Sequence, residues 1–373
     1  MPKKIRLGIL FGGRSGEHEV SLESAASVLK AIDREKYDVV PIGITREGRW
    51  VLGNALSESS PKALAGVFQS GTAITPPADP TRRGLTPLPV PSRGARNQGA
   101  LDVVFPILHG TFGEDGTVQG LLDLAGIPYV GAGVLGSATG MDKDVMKRLF
   151  RDAGLPVVPW ILLLRSEISA SPAPARKVAR EIGYPAFVKP ANLGSSVGIS
   201  KVHSRRELQV SLELAARFDR KIIVEEAIDA REIECAVLGN DTPQASVPGE
   251  VVPVNEFYDY QAKYVQEGSR LIIPAKLGAA RTRTVQQLAI RAFKAIDCAG
   301  MGRVDFLMDR KSGKLYVNEI NTIPGFTSIS MYPKLWEASG LLYAKLIDRL
   351  VELAIERHRE KSITQYDYKK LPQ

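Results

Sequence analysis

The chain opens on an apolar run, Ile5 to Phe11, ending in Gly12-Gly13, and continues into a helical stretch with Val20, Val28, Leu29 and Ile32 on one side. Tyr37 to Ile44 repeats the strand pattern, so the first segment predicts a βαβ unit. From about Ser57 to Gly99 the sequence is rich in Pro, Gly, Ser and Thr. Pro76-Pro77 through Pro91 excludes a long helix or a central strand there, and the stretch (57–99) is expected to be a peripheral insertion or long loop. Leu101 to Leu108 reads as another buried strand running into His109-Gly110, and Val118 to Leu124 as a helix closing this domain near Gly131.

The pattern restarts at Asp142 with a helix through Phe150, then strands around Val157 to Leu164 and Ala186 to Lys189. Ser204-Arg205-Arg206-Glu207 is a capping box that opens a helix to Phe218. Ile222 to Glu226 is a strand entering a third segment, where Glu232 to Leu238 and Gly249 to Val254 predict sheet, Thr284 to Ala295 a helix, and Leu341 to Glu356 a helix with a frayed polar tail. Mixed strands and helices with two restarts predict α/β and α+β architecture in three domains, 1–131, 132–225 and 226–373.

Gly302-Arg303-Val304-Asp305-Phe306 and Val317-Asn318-Glu319-Ile320-Asn321 flank a polar turn and predict a β-hairpin. A turn centred on Ser312 sets Asp305 opposite Glu319 and Arg303 opposite Asn321, with all four on one face and Val304, Phe306 and Ile320 on the other. Opposed carboxylates about 5 Å apart at Cβ repel unless a cation lies between them. Hard oxygen donors suit Mg²⁺ or Mn²⁺ completed by substrate phosphates, and Arg303 beside them suits phosphoryl charge. A solvated hairpin with cross-strand charge pairing is the alternative; four polar groups on one face favour a site.

With 373 residues, 44% hydrophobic and 24% charged, the chain has the composition of a globular protein of two or three domains. No run is long enough to span a membrane, and Met-Pro-Lys-Lys leads directly into a strand without a signal peptide, so export is not expected. Cys235 and Cys298 lack metal-ligand spacing and read as core thiols of a reducing compartment. The net charge of +8 is spread without a basic block or stacking-aromatic motif; no nucleic-acid partner is expected, and a small anionic substrate accounts for the excess equally well.

Gly194-Ser195-Ser196-Val197-Gly198 follows the strand holding Lys189 and offers backbone amides to a phosphate; taken alone it reads equally as a hairpin turn. Gly131-Ala132-Gly133-Val134-Leu135-Gly136 matches a dinucleotide fingerprint, with Asp152 at a suitable distance, and an NAD-linked oxidoreductase is the reading it would support. The first βαβ unit carries its glycines at Gly12-Gly13 instead, so a domain junction fits better. Glu17, in the turn after the first strand, suits a cationic amine or the positive end of the helix dipole. His109 heads a second such turn, and Tyr258 to Tyr264, with Lys263, forms either a packed Ω-loop or a lid.

In order, FGGRSGEHEVSLESA, HGTFGEDGTVQG, MDKDVMK, FVKPANLGSSVG, DYQAKY, GRVDF and NEINTIPGFTS resemble the D-alanine-D-alanine ligases of the ATP-grasp superfamily, from about Ile5 to Leu353. The resemblance implies a three-domain ATP-grasp architecture with an N-terminal open α/β domain and ATP between the second and third domains. It further implies a cytoplasmic role in peptidoglycan synthesis and a homodimer. Glu17, assisted by Ser195, would hold the amino group of the first D-alanine, with His109 among the substrate contacts. Lys143, Lys189 and Lys263 would bind ATP phosphates under the Ser195-Ser196 loop; Glu225, Glu226 and Ile228 match the adenine hinge, and Glu232 the ribose ligand. Asp305, Glu319 and Asn321 would hold two Mg²⁺ or Mn²⁺ ions, and Arg303 with the Gly325 amide an oxyanion. Ser330 and the Met331 amide would receive the second carboxylate, although many relatives have Leu at that position. Tyr264 in the lid argues for an amine over D-lactate as nucleophile.

Overall fold

The computed structural model describes residues 3–53, 59–75, 86–87, 100–170, 173–194, 197–252 and 270–365. Strand β1 (Ile5–Gly12) lies parallel to β2 (Tyr37–Ile44) on one side and to β6 (Val103–Ile107) on the other, with Leu7 paired to both Val39 and Val103. Hydrogen-bonded on both edges, β1 is buried from Leu7 to Gly12, which is why it reads as an unbroken apolar run. Helix α1 (His18–Ala31) covers one face; α3 (Thr117–Leu124) supplies Val118 and Leu122 to the core on the other.

The described part of the Pro-rich stretch is more structured than its composition suggests. β3 (Trp50–Leu52), β4 (Thr72–Thr75) and β5 (Thr86–Pro87) extend the sheet antiparallel, in the order β5-β4-β3-β2-β1-β6. Between them α2 (Pro61–Ser70) buries Leu64 and Val67. Proline does not bar this helix, because Pro61 occupies its first turn, where an amide has no intrahelical acceptor, and Ser60 Oγ accepts from the Ala63 amide at 3.2 Å.

The central sheet is antiparallel, ordered β7 (Trp160–Leu164), β10 (Lys221–Glu226), β8 (Ala186–Pro190), β9 (Ser200–Val202). Helices α6 (Arg165–Ala170), α7 (Ala173–Glu181) and α8 (Arg205–Phe218) cover it. The capping box forms: the Glu207 amide donates to Ser204 Oγ, and Glu207 Oε2 accepts from the His203 amide at 3.0 Å.

The third sheet is centred on β11 (Ala230–Gly239), flanked by β13 (Gly249–Val252) and β14 (Arg270–Ile272) on one side and β15 (Gly300–Asp309) and β16 (Leu315–Asn321) on the other, with β12 (Gln244–Ala245) also paired to β11. Helix α9 (Ala279–Ala295) packs Val285, Ala289 and Phe293 onto it. Met146 and Phe150 of α5 (Lys143–Asp152) join the same core, so the segment after α4 (Val134–Met141) packs with the third sheet.

Two C-terminal helices, α10 (Met331–Ala338) and α11 (Tyr343–Ser362), share a core with β1, β6 and α1. From Glu356 to Ser362 the expected fraying does not occur, and the tail beyond 365 lies outside the described residues. Arg357 donates to the carbonyls of Gly131 and Tyr129, and Lys361 pairs with Asp123 at 2.7 Å, so the polar end of α11 is docked. Among the described residues no helix is long and apolar enough to cross a membrane.

Two of the three glycines from 131 to 136, Gly131 and Gly136, serve packing. Gly136 sits where a Cβ would lie 2.6 Å from the Asp297 carbonyl oxygen, and Gly131 lies against Gly300. Backbone is the obstacle at Gly136, so Gly136→Ala is expected to destabilise the protein by about 1–3 kcal/mol, read as a shifted midpoint in thermal or urea melts. A neutral melt would refute this packing role.

Candidate active site

The carboxyl ends of β1 and β6 meet the N-terminus of α1, and two serines on the buried face of that helix fix the junction. Ser21 Oγ accepts from the Gly12 amide at 2.8 Å and donates to the Ile107 carbonyl. Glu17 stands at the N-cap of α1, where the helix dipole favours a carboxylate. A Cβ on Gly110, at φ +77°, would come within 2.6 Å of Glu17 Oε2, so only glycine lets the second turn close on this carboxylate. The same oxygen lies 3.2 Å from where a Cβ on Gly194 would stand, which brings the edge of the glycine-serine loop to Glu17. Ser195 and Ser196 themselves lie outside the described residues, as do Lys263 and Tyr264.

A lysine cluster forms the next wall. Lys143, at the start of α5, donates to the Leu193 carbonyl at 2.8 Å and lies 3.6 Å from Glu319 Oε2. Lys189 lies 3.3 Å from Glu225 Oε1, and Lys147, one turn after Lys143, lies 3.2 Å from Glu225 Oε2. Lys147 and Glu225 are 1% and 2% exposed. Burial works against ionisation of Glu225, but Lys147 and Lys189 overcome it and hold its pKa below the ordinary carboxylate value. For Lys147 burial dominates and lowers the pKa, with Glu225 opposing. The side chain of Glu225 therefore serves as counter-ion to two lysines. Glu226 is exposed just beyond it, Ile228 is half-buried in the link to β11, and Glu232 lies on β11 opposite Val251 and Leu307.

The hairpin has the expected register where it matters and not elsewhere. Arg303 pairs with Asn321 and Asp305 with Glu319, but the register then shifts, so Phe306 faces Val317 rather than Asn318. The irregularity turns Val317 into the core beside Phe306 while Glu319 and Asn321 stay on the polar face. Pairing extends one strand further: Glu234 on β11 is opposite Asp305, giving a row of three carboxylates across adjacent strands. Arg303 sits within it, donating from Nε and Nη2 to the two Asp305 oxygens at 2.7 Å each and lying 2.9 Å from Glu234 Oε2. Burial disfavours its charge, but Asp305 and Glu234 more than compensate and raise its pKa. Asn321 Nδ2 donates to Asp305 Oδ2 at 3.1 Å.

The chain leaves β16 into a turn, 322–330, held by side chains of the N-terminal segment. Gly325 stands where a Cβ would be 3.1 Å from Ser330 Oγ, and that hydroxyl accepts from the Thr327 amide at 3.0 Å. Met331, first residue of α10, buries its side chain against Gly249, which leaves only its backbone to face the turn. His109, 4% exposed, has Nδ1 3.0 Å from the Ile323 carbonyl and Nε2 3.0 Å from Ser24 Oγ. Both ring nitrogens thus have partners inside the protein. Burial lowers its pKa against the pull of Glu17 and so favours the neutral ring. Glu114 accepts from the Gly110 and Ile323 amides; burial and the neighbouring Glu17 push its pKa up to about 8.

The structure therefore gathers Glu17, Lys143, Lys189, Glu225, Arg303, Asp305, Glu319, Asn321, Gly325 and Ser330 around one junction of the three sheets. Sequence reasoning missed Ser24, Glu114, Lys147 and Glu234. Ser24 and Glu114 lay inside quoted motifs, and Lys147 repeats Lys143 at helical spacing; Glu234 repeats Glu232 on the same strand face. Among the described residues no group of three or more His, Cys, Asp or Glu is placed to hold a metal ion. Asp305 and Glu319 with the Asn321 amide remain a fitting set of hard oxygen donors for a cation whose other ligands come from a bound phosphate.

Comparison with known proteins gives the family. Residues 6–132 match the family model "D-ala D-ala ligase N-terminus" and residues 149–352 match "D-ala D-ala ligase C-terminus". A D-alanine--D-alanine ligase of Thermoanaerobacter sp. (strain X514) is 52% identical over 361 residues, covering 96% of this chain and 99% of the relative. The solved D-alanine-D-alanine ligase from Coxiella burnetii superposes with TM-score 0.82 at 40% identity, covering 96% of each chain. VanG D-Ala:D-Ser ligase from Enterococcus faecalis gives TM-score 0.84 at 37% identity, covering 94% of this chain and 100% of that one. With both halves matched in order on an ATP-grasp fold, the chain belongs to the D-alanine-D-alanine ligase family.

Proposed function

We propose that this protein joins two molecules of D-alanine into D-alanyl-D-alanine, converting ATP to ADP and phosphate, and so supplies the dipeptide for peptidoglycan. The observation that carries the reading is the convergence of Glu17 with the Gly194 edge, the Lys143 and Lys189 cluster, and the Arg303–Asp305 face.

A carboxylate is inert towards amines at neutral pH, so the first D-alanine must be activated. Its carboxylate oxygen attacks the γ-phosphorus of ATP, ADP leaves, and an acylphosphate forms. The amine of the second D-alanine then attacks the acyl carbon and loses a proton as phosphate departs. Glu17, at the helix N-terminus, holds the first ammonium group. Lys143 and Lys189 neutralise the phosphates, the backbone at Glu225, Glu226 and Ile228 borders the adenine, and Glu232 takes the ribose. Arg303 and the Gly325 amide face the developing oxyanion, where fixed donors act most strongly. Ser330 and the Met331 amide hold the second carboxylate. Mg²⁺ or Mn²⁺ held by Asp305, Glu319 and Asn321 supplies further charge neutralisation to the phosphoryl group when bound. Ser195, Lys263 and Tyr264 are assigned to closing the site, which must exclude water because hydrolysis would waste the acylphosphate.

The test is phosphate release with ATP, Mg²⁺ and D-alanine, then with D-serine or D-lactate added, products being identified by mass. Dipeptide and phosphate in equal amounts is the expected result. A D-alanine-D-serine or D-alanine-D-lactate product in excess would reassign the second substrate, and no turnover with any D-amino acid would refute the reading.

A further inference from the structure

The turn that carries Gly325 belongs to the third domain, yet its backbone is gripped by side chains of the first. His109 Nδ1 lies 3.0 Å from the Ile323 carbonyl, and Glu114 Oε1 accepts from the Ile323 amide at 3.2 Å, so both polar groups of one residue are held from across the domain boundary. Three residues on, the Phe326 amide donates to Ser24 Oγ at 3.3 Å, and Ser24 Oγ lies 3.0 Å from His109 Nε2. For a neutral imidazole the donors and acceptors admit one consistent arrangement. A carbonyl can only accept, so Nδ1 carries the proton; Nε2 then accepts from the Ser24 hydroxyl, whose oxygen is left to accept from Phe326. His109 and Ser24 are 4% and 0% exposed, which keeps water from competing for these bonds. Glu114 is also tied to the Gly110 amide at 2.7 Å, beside Glu17.

We infer that Ser24, His109 and Glu114 are positioning residues: they lock the Ile323–Phe326 backbone, and with it the Gly325 amide, relative to the first substrate's anchor at Glu17. This rests on the ligase reading and deepens it. The amide that meets the oxyanion and the carboxylate that meets the ammonium stand on different domains, and this network is what fixes their separation. Misplacement by as little as an ångström costs reactions of this kind heavily. Loosening the lock therefore leaves nucleotide binding untouched and slows capture of the acylphosphate by the second amine.

The experiment uses the full chain with His109→Ala, His109→Asn, Ser24→Ala and Glu114→Gln. His109→Ala is expected to lower kcat for dipeptide by about 10–100-fold. The KM for ATP should stay within about twofold of wild type, and phosphate released per dipeptide should rise above the wild-type ratio as water intercepts the intermediate. His109→Asn, which keeps a donor at the Nδ1 position, should recover part of the loss, and Ser24→Ala, the mildest change, should show the same signature more weakly. Amide hydrogen exchange of the 320–330 segment is read in the same variants without substrate and should accelerate in each. Unchanged exchange overturns the inference. So does a raised KM for D-alanine at unchanged kcat, which would make His109 a substrate ligand, or a loss of rate that only tracks the folded fraction. A wild-type protein that makes no dipeptide counts against the ligase reading, while exchange still decides the lock.

Discussion

Arg303→Met is expected to lower kcat for dipeptide formation by about 10²–10³-fold, the loss that follows removal of one fixed oxyanion donor. Arg303 is the only described cation within 4 Å of both Asp305 and Glu234, and its fork takes both Asp305 oxygens. Removing it therefore acts twice. The reacting centre loses a donor, and two adjacent carboxylates lose the charge between them; the pair is part-buried, so the loss falls below the about 3–5 kcal/mol of a fully buried one. Arg303→Lys separates the two effects, because lysine restores charge but not the planar fork. It should recover most of the stability lost by Arg303→Met, seen in chemical denaturation, and little of kcat. A kcat within tenfold of wild type for Arg303→Met would remove Arg303 from the oxyanion site.

Most of the fold was legible because its central elements are locally unambiguous. β1 and β6 read as buried strands since both of their faces are covered, and α8 announced its start through the Ser204–Glu207 box. The edge elements β3, α2 and β4 were not legible, since a composition rich in Pro and Gly hides a short helix whose only proline stands at its first turn. The hairpin is instructive because half of its register was right. Val317 and Ile320 are three residues apart, and a regular strand cannot turn both to one face. That spacing already encodes the irregularity between Asp305 and Phe306.

The parts of the site that stayed hidden are those whose meaning lies in a distant partner. Nothing near Lys147 in sequence indicates that it faces Glu225, and nothing near Glu114 points to the Ile323 amide. His109 was noticed for its position at a strand end, but its task depends on Ser24 and Ile323, which the chain brings to it from both sides of the molecule.

Lys147→Met carries the largest expected effect on stability. Methionine fills the lysine's volume but leaves Glu225, 2% exposed, with Lys189 as its only described cation within 4 Å. A buried charge that loses a partner costs about 3–5 kcal/mol. The sign of the pH dependence follows from Glu225. Its folded pKa lies below the ordinary 4.5, so the stability it contributes is present above that value and is lost as pH falls through the folded value. In Lys147→Met that support is weakened, so the gap to wild type should be widest near neutral pH and narrow as the solution is acidified below 4.5. Adding Glu225→Gln removes the stranded charge, and the double variant should be more stable than Lys147→Met alone, with a coupling of about 0.5–3 kcal/mol in the cycle. With Lys189 in its proposed role at the ATP phosphates, the cluster also ties stability to nucleotide binding. With Lys147 gone, Glu225 holds Lys189 more tightly and competes with ATP for it, so the KM for ATP should rise in the single variant and fall back in the double. Additive melts with an unchanged KM would show that Lys147 merely fills space, whereas coupling in both quantities makes it the cation that leaves Lys189 free to meet phosphate.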